Sequence, residues 1–200
     1  MQYVKDQFVV CPHFHDLRQS RLKYTDVIVY IAVRSFNNPQ NRCFPSYEAI
    51  AKRAECSRDY VIKALKRLSK ASLITITRST KFKGVNCYHF ATSHMFEQIP
   101  YELFDQDIDI YAKSMMLLFR QLAVNGRLKY VFKLERMAKC YGLTYRTVYK
   151  QITKLIDLGY IIRGTGKRKI CLMLTDKIDW PWGYGNSVDE PKGVPLLLIG

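Results

Sequence analysis

The sequence predicts an α+β fold, mainly helical, in which one structural unit is built twice. Three observations point there. First, the stretch FPSYEAIAKRAECSRDYVIKALKRLSKASLITITR, starting at Phe44, meets VFKLERMAKCYGLTYRTVYKQITKLIDLGYIIRGT without a gap when shifted by about 87 positions. Glu48 falls on Glu135, Ala51 on Ala138, Lys52 on Lys139, Val61 on Val148, Lys63 on Lys150, Leu68 on Leu155 and Ile74 on Ile161. An internal repeat of this length sets the architecture before any motif is considered. Second, apolar residues in each copy recur at spacings of three and four, which is one face of an α-helix. Third, each copy ends in a β-branched run, a polar tip containing glycine and a second apolar run, which is a hairpin signal.

The elements follow in order. Phe8-Val9-Val10-Cys11-Pro12 and Phe96-Glu97-Gln98-Ile99-Pro100 both read F-x-x-x-P, so the repeat begins well before its best-matched part. A leading helix is expected from about Tyr24 to Ser35, carried by Val27, Ile28, Ile31 and Ala32. Its counterpart is expected from about Ile110 to Val124, carried by Met115, Leu118, Phe119 and Leu122. Ser46 can cap the next helix, whose inner face is Ile50, Ala51 and Ala54. Ser57 and Thr144 each stand where a hydroxyl can accept a hydrogen bond from a first-turn N–H of a following helix. The inner faces of those last helices are Val61, Ala64, Leu65 and Leu68, and Val148, Ile152 and Leu155. Only Glu55-Cys56, or Gly142-Leu143, separates each pair of helices, so the two helices must cross steeply. That turn favours a positive φ. Gly142 meets this freely, whereas the Cβ of Glu55 costs roughly 1 kcal/mol there. The hairpins then run from Leu73–Thr77 to Cys87–Phe90, and from Tyr160–Ile162 to Ile170–Leu174.

Two helices, a tight turn and a hairpin make a winged helix. The segment PSYEAIAKRAECSRDYVIKALKRLSKASLI resembles the helix-turn-helix modules of phage and plasmid replication and regulatory proteins. Its occurrence in two copies is similar to plasmid replication initiators with tandem winged-helix domains, a likeness that covers most of residues 8–175. The resemblance implies residues 1–95 as an N-terminal winged-helix domain, residues 96–176 as a C-terminal one, and residues 177–200 as a proline- and glycine-rich apolar tail. It also implies DNA binding, with replication initiation as the first role and transcription control as the alternative.

Charge supports a polyanionic partner. The formal net charge is +15, and the excess lies on the repeated units, where counterion release from phosphates rewards it. Helical spacing puts Arg58, Asp59, Tyr60, Lys63 and Arg67 opposite the core side of the first recognition helix. Tyr145, Arg146, Thr147, Lys150 and Lys154 stand in the same places on the second. The N-terminal residues of such a helix reach base edges in the major groove. Arg58 and Arg146 suit guanine, while Tyr60, Tyr145 and Thr147 suit thymine methyls or phosphates. Ser57 and Thr144 cap and can also meet phosphate. The hairpins add Arg78, Lys81 and Lys83, and Arg163, Lys167, Arg168 and Lys169, suited to phosphates or the minor groove. A solvated helix face is the plainer reading of any one of these residues. Recurrence of the whole set favours double-stranded DNA. Two linked modules would then cover two similar half-sites, expected in the same orientation.

Other classes fare worse. No clustered carboxylates, Walker loop or nucleophile motif marks an enzyme, and no cofactor motif is present. A protein-interaction module built from winged helices is the alternative of another class, against which the basic recognition helices speak. Cys11, His13 and His15 alternate and would share one face of a strand, which suits a metal less well than an edge strand carrying chance histidines. Six scattered cysteines without a CxxC fit a reduced, cytoplasmic setting, and the expected DNA binding would make the protein nucleoid-associated. No apolar run approaches membrane-spanning length. Acidic residues between the copies, Glu97, Glu102, Asp105, Asp107 and Asp109, either shield a seam or start a helix from a solvated loop. The tail, with Trp180-Pro181-Trp182 and a final Val194-Pro195-Leu196-Leu197-Leu198-Ile199, is too apolar to stay in water. It is expected to pack on the second unit, or to dock through residues 180–200 on a second copy or a replication or transcription partner.

Overall fold

The computed structural model describes residues 8–38, 42–78, 84–91, 96–122, 134–166 and 169–181. Strand β1 (Phe8–Pro12) leads to helix α1 (Asp26–Arg34), a short strand β2 (Arg42–Cys43), helices α2 (Tyr47–Ala54) and α3 (Arg58–Lys70), and strands β3 (Ile74–Arg78) and β4 (Asn86–Phe90). Strand β5 (Phe96–Pro100), a 3-10 turn (Tyr101–Asp105) and helix α4 (Ile110–Leu122) follow, then α5 (Leu134–Tyr141), α6 (Tyr145–Asp157), β6 (Ile161–Gly166) and β7 (Lys169–Leu174). The mixed α/β character and the helix-turn-helix order agree with the sequence reading.

Helices α1 and α4 occupy the middle. Every residue of α1 from Asp26 to Val33 is buried, as is every residue of α4 from Ala112 to Gln121. DVIVYIAVR is apolar nearly all round, and a helix of that kind is stable only when covered on all sides. The two pack on each other, α2 and α3 cover α1, and α6 covers α4. The buried apolar side chains of both halves make one continuous cluster rather than two separate cores.

The amphipathic helices obey their spacing. Ile50, Ala51 and Ala54 are the buried face of α2, and Val61, Ala64, Leu65 and Leu68 that of α3. Met137, Ala138 and Tyr141 serve α5, and Val148, Ile152 and Leu155 serve α6, joined there by Gln151. Ser46, Ser57 and Thr144 all cap, accepting from the N–H of Ala49, Tyr60 and Thr147. Between α2 and α3, Glu55 has φ +52°, and at the same place before α6 Gly142 has φ +62°.

Among the described residues, three small antiparallel sheets complete the fold, with strand orders β1-β5, β2-β4-β3 and β6-β7. Ile74 pairs with Phe90 and Arg78 with Asn86 in the first hairpin, and Ile161 pairs with Leu174 in the second. In the sheet of β1 and β5, Phe8 faces Pro100, Val10 faces Gln98 and Pro12 faces Phe96. Trp180 is buried, and the Pro181 carbonyl accepts from Arg120, so the first residues of the tail lie on the body of the molecule. Residues 182–200 lie outside the described residues, and with them most of the proposed docking segment, residues 180–200.

Candidate nucleic-acid interface

Helix α3 presents Arg58, Asp59, Lys63, Lys66 and Lys70 exposed on the side away from its apolar face. Each polar side chain there has a distinct job, set by its partners. Ser57 turns its hydroxyl onto the helix start. The guanidinium of Arg58 meets Glu48 Oε1 at 2.6 Å and lies over the ring of Tyr47. Both partners of that ion pair are more than half exposed, where water screens the attraction. A phosphate or a guanine edge can therefore compete with Glu48 for Arg58. The pairing, with backbone hydrogen bonding leading, also holds the Glu48 carboxyl below its usual range.

Tyr60 and Arg67 are half-buried and turn toward α1 rather than lying open on the helix face. Arg67 makes a two-pronged contact with Asp26, Nε to Oδ2 at 2.7 Å and Nη2 to Oδ1 at 2.6 Å. Asp26 is only 1% exposed and Arg67 22%. Tyr60 donates to the same carboxylate at 2.9 Å, contacts the Thr25 hydroxyl, and lies beneath the Arg67 guanidinium. Burial pushes the Tyr60 hydroxyl well above its ordinary range, and hydrogen bonding to Asp26 raises Arg67 further. These side chains join α3 to the start of α1. The signal that was missed is Asp26, an acid opening a helix that is otherwise apolar.

Helix α6 carries the second set. Tyr145, Arg146, Tyr149 and Lys150 are exposed, and Thr147 is half-buried with its hydroxyl 2.8 Å from that of Thr144. Tyr145 and Tyr149 stack at a tilt, ring centroids 5.8 Å apart, and each keeps nearly half its surface in solvent. Tyr149 was not singled out from the sequence. The clue was available, because it stands one turn after Tyr145 on the same face. Lys154 repeats the role of Arg67, reaching an acid that precedes a central helix, with Nζ 2.7 Å from Asp109 Oδ2. Partial burial pushes the Asp109 carboxyl up. Hydrogen bonds from Lys154 and the Ala112 N–H outweigh this and hold it below the usual range. Of the acids between the copies, Asp109 therefore starts a helix, and Glu97 pairs with Arg120 and lies within hydrogen-bond distance of His13.

Arg78 and Arg163 are exposed at the hairpins. Lys169 has a strand backbone paired with Gly166. Lys81, Lys83, Lys167 and Arg168 lie outside the described residues. The cysteine and histidine cluster does not form a common face. Cys11 is fully buried, where desolvation pushes its thiol up to about 12, and it lies against Gln121. His13 follows the end of β1 and contacts Glu97, while His15 is exposed. Among the described residues, no three metal-ligating side chains gather, and no helix is long and apolar enough to cross a membrane.

Helices α2 and α3, their turn, and α1 ahead of them lie inside a stretch with a known counterpart. Residues 20–74 match the family model of a helix-turn-helix domain. The match ends at Ile74, the first residue of β3, so it takes in all three helices of the first half and supports DNA binding in general. No curated protein matches the chain.

Proposed function

We propose that this protein binds double-stranded DNA sequence-specifically through two winged-helix units that are copies of one another, with α3 and α6 as recognition helices. The observation that carries the reading is the helix-turn-helix match over residues 20–74, whose last helix, α3, exposes a basic row starting at its capped N-terminus. The same cap, turn conformation and exposed basic row recur at Thr144, Gly142 and α6. Base edges are read by Arg58, Lys63, Tyr145, Arg146, Tyr149 and Lys150. Arg78 and Arg163 hold phosphates beside them. The protein acts as a binder and not as an enzyme, and works in the cytoplasm on the nucleoid. The finer role we propose is initiation of replication at a phage or plasmid origin, supported by the two-unit resemblance. Control of transcription is its alternative.

Gel shift in rising salt tests the binding. A binder neutralising several phosphates loses affinity with a slope of about −0.9 per phosphate in log-log form. Weak, salt-independent retention of every duplex would instead mark a protein-interaction module. The role is tested separately, by asking whether the chain and its selected site maintain a plasmid that lacks its own initiator.

A further inference from the structure

The way the halves meet says how such a protein would sit on DNA. Strands β1 and β5 occupy the same place in the sequence repeat, FVVCP against FEQIP. They pair with each other, and the register is centred on equivalent residues, Val10 facing Gln98. Phe8 and Phe96 stand at opposite ends, each across from the other's proline. An antiparallel pair of equivalent strands centred in this way has a two-fold axis through its middle.

The contacts beyond the strands are reciprocal. The segment after β1 crosses to the second half, where the N–H groups of Asp16 and Leu17 donate to the carbonyls of Cys140 and Tyr141 at the end of α5. The segment after β5 crosses the other way, placing the rings of Tyr101 and Phe104 against Arg53 in the last turn of α2. In the repeat, position 104 answers to 16 and position 140 to 53. A contact of i with j matched by one of j with i is the mark of a two-fold interface. A head-to-tail arrangement has no reason to produce it.

The axis also has a direction. Helices α1 and α4 lie side by side and begin together, with the equivalent rings of Tyr24 and Tyr111 6.2 Å apart. Their last turns both reach the β1-β5 ribbon. Tyr101 donates to the Ser35 carbonyl, Gln121 donates to the Pro12 carbonyl, and Arg120 pairs with Glu97. The ribbon is thus at one end of the axis and the helix starts at the other. Arg67 to Asp26, and Lys154 to Asp109, fasten α3 and α6 beside those starts. Both recognition helices therefore lie at one end of the axis.

We infer that a single chain does what a helix-turn-helix dimer does, presenting α3 and α6 to one face of the duplex, rotated by about half a turn from each other. Its site is an inverted pair of half-sites, not the same-orientation pair that a linear repeat suggests. The half-sites resemble each other imperfectly, because Arg58 and Asp59 in α3 answer to Tyr145 and Arg146 in α6. The inference rests on the proposed DNA binding.

Selection of bound duplexes from a random pool by the full chain tests it. The selected half-sites are then rebuilt as inverted and as direct pairs over a range of spacers. An imperfect inverted motif is expected, bound at least tenfold more tightly than any direct pair, with one chain per site by native mass spectrometry. A direct motif, equal binding of both orientations, or two chains per inverted site would overturn the two-fold reading while leaving DNA binding intact. Failure to enrich any duplex would overturn both.

Discussion

Arg67 on α3 and Arg146 on α6 are both arginines on the polar side of a helix that we propose reads DNA, yet their surroundings differ, and substitution separates them. Arg146 is exposed on α6. Replacing it with alanine is expected to relax base preference at one position and to cost about 1–3 kcal/mol of discrimination, with the unfolding midpoint unchanged. Unchanged selection by that variant would remove α6 from the reading surface. Arg67 holds Asp26 with two hydrogen bonds. Breaking a fully buried pair costs roughly 3–5 kcal/mol. Because Arg67 keeps 22% of its surface, D26N should fall at the low end of that range in urea unfolding. The bases selected by that variant should stay the same. Caps were legible in the sequence because a hydroxyl and the N–H it accepts from stand three residues apart. The partner of Arg67 was not, because 41 residues separate it from Asp26 and helical spacing carries no information about neighbours outside the helix.

The turn between the two helices of each half shows how one backbone requirement is met in two ways. Gly142 needs its φ of +62°, and it also lacks room for a side chain. A Cβ there would come within 2.6 Å of Asp16 Oδ1 and 2.8 Å of Arg18 Cβ. The same segment of Asp16 and Leu17 is hydrogen-bonded to the end of α5, so it cannot retreat without losing those bonds. G142A is therefore expected to destabilise by more than the roughly 1 kcal/mol of left-handed strain alone, read as a drop in the thermal midpoint. Glu55 stands in the same turn of the first half and carries the strain that the sequence predicts. It has a compensation the sequence does not show, a carboxylate oxygen 2.8 Å from Nζ of Lys113. Lys113 is 1% exposed, with one further bond to the Phe104 carbonyl. E55G relieves the strain but leaves a buried ammonium without its carboxylate, the larger effect. Lower stability is thus the expected outcome for E55G. A stabilised variant would mean that the Lys113 pair is worth less than the strain.

At the scale of the molecule, the sequence pointed to a repeat but not to the meeting of its halves. The recurrence of F-x-x-x-P marked two equivalent strands, and nothing in their residues says that each takes the other as partner rather than a strand of its own half. The all-round apolar character of α1 was the available hint. A helix covering only its own two neighbours needs one stripe, whereas Asp26 to Val33 are buried without interruption. Packing of α4 on α1, the β1-β5 ribbon and the single buried cluster all join the halves. Neither half can leave without exposing a central helix, so unfolding is expected as one cooperative transition, with equal calorimetric and van't Hoff enthalpies. Ile99 tests this from the seam. It is fully buried on β5, opposite Val9, and truncation of such a residue to alanine costs about 2–5 kcal/mol. I99A should lower the midpoint of the whole transition, seen alike by circular dichroism and by tryptophan fluorescence, which includes the buried Trp180. A transition that splits in two, with one part at the original midpoint, would mean that each half carries a core of its own and that the seam is only a contact between them.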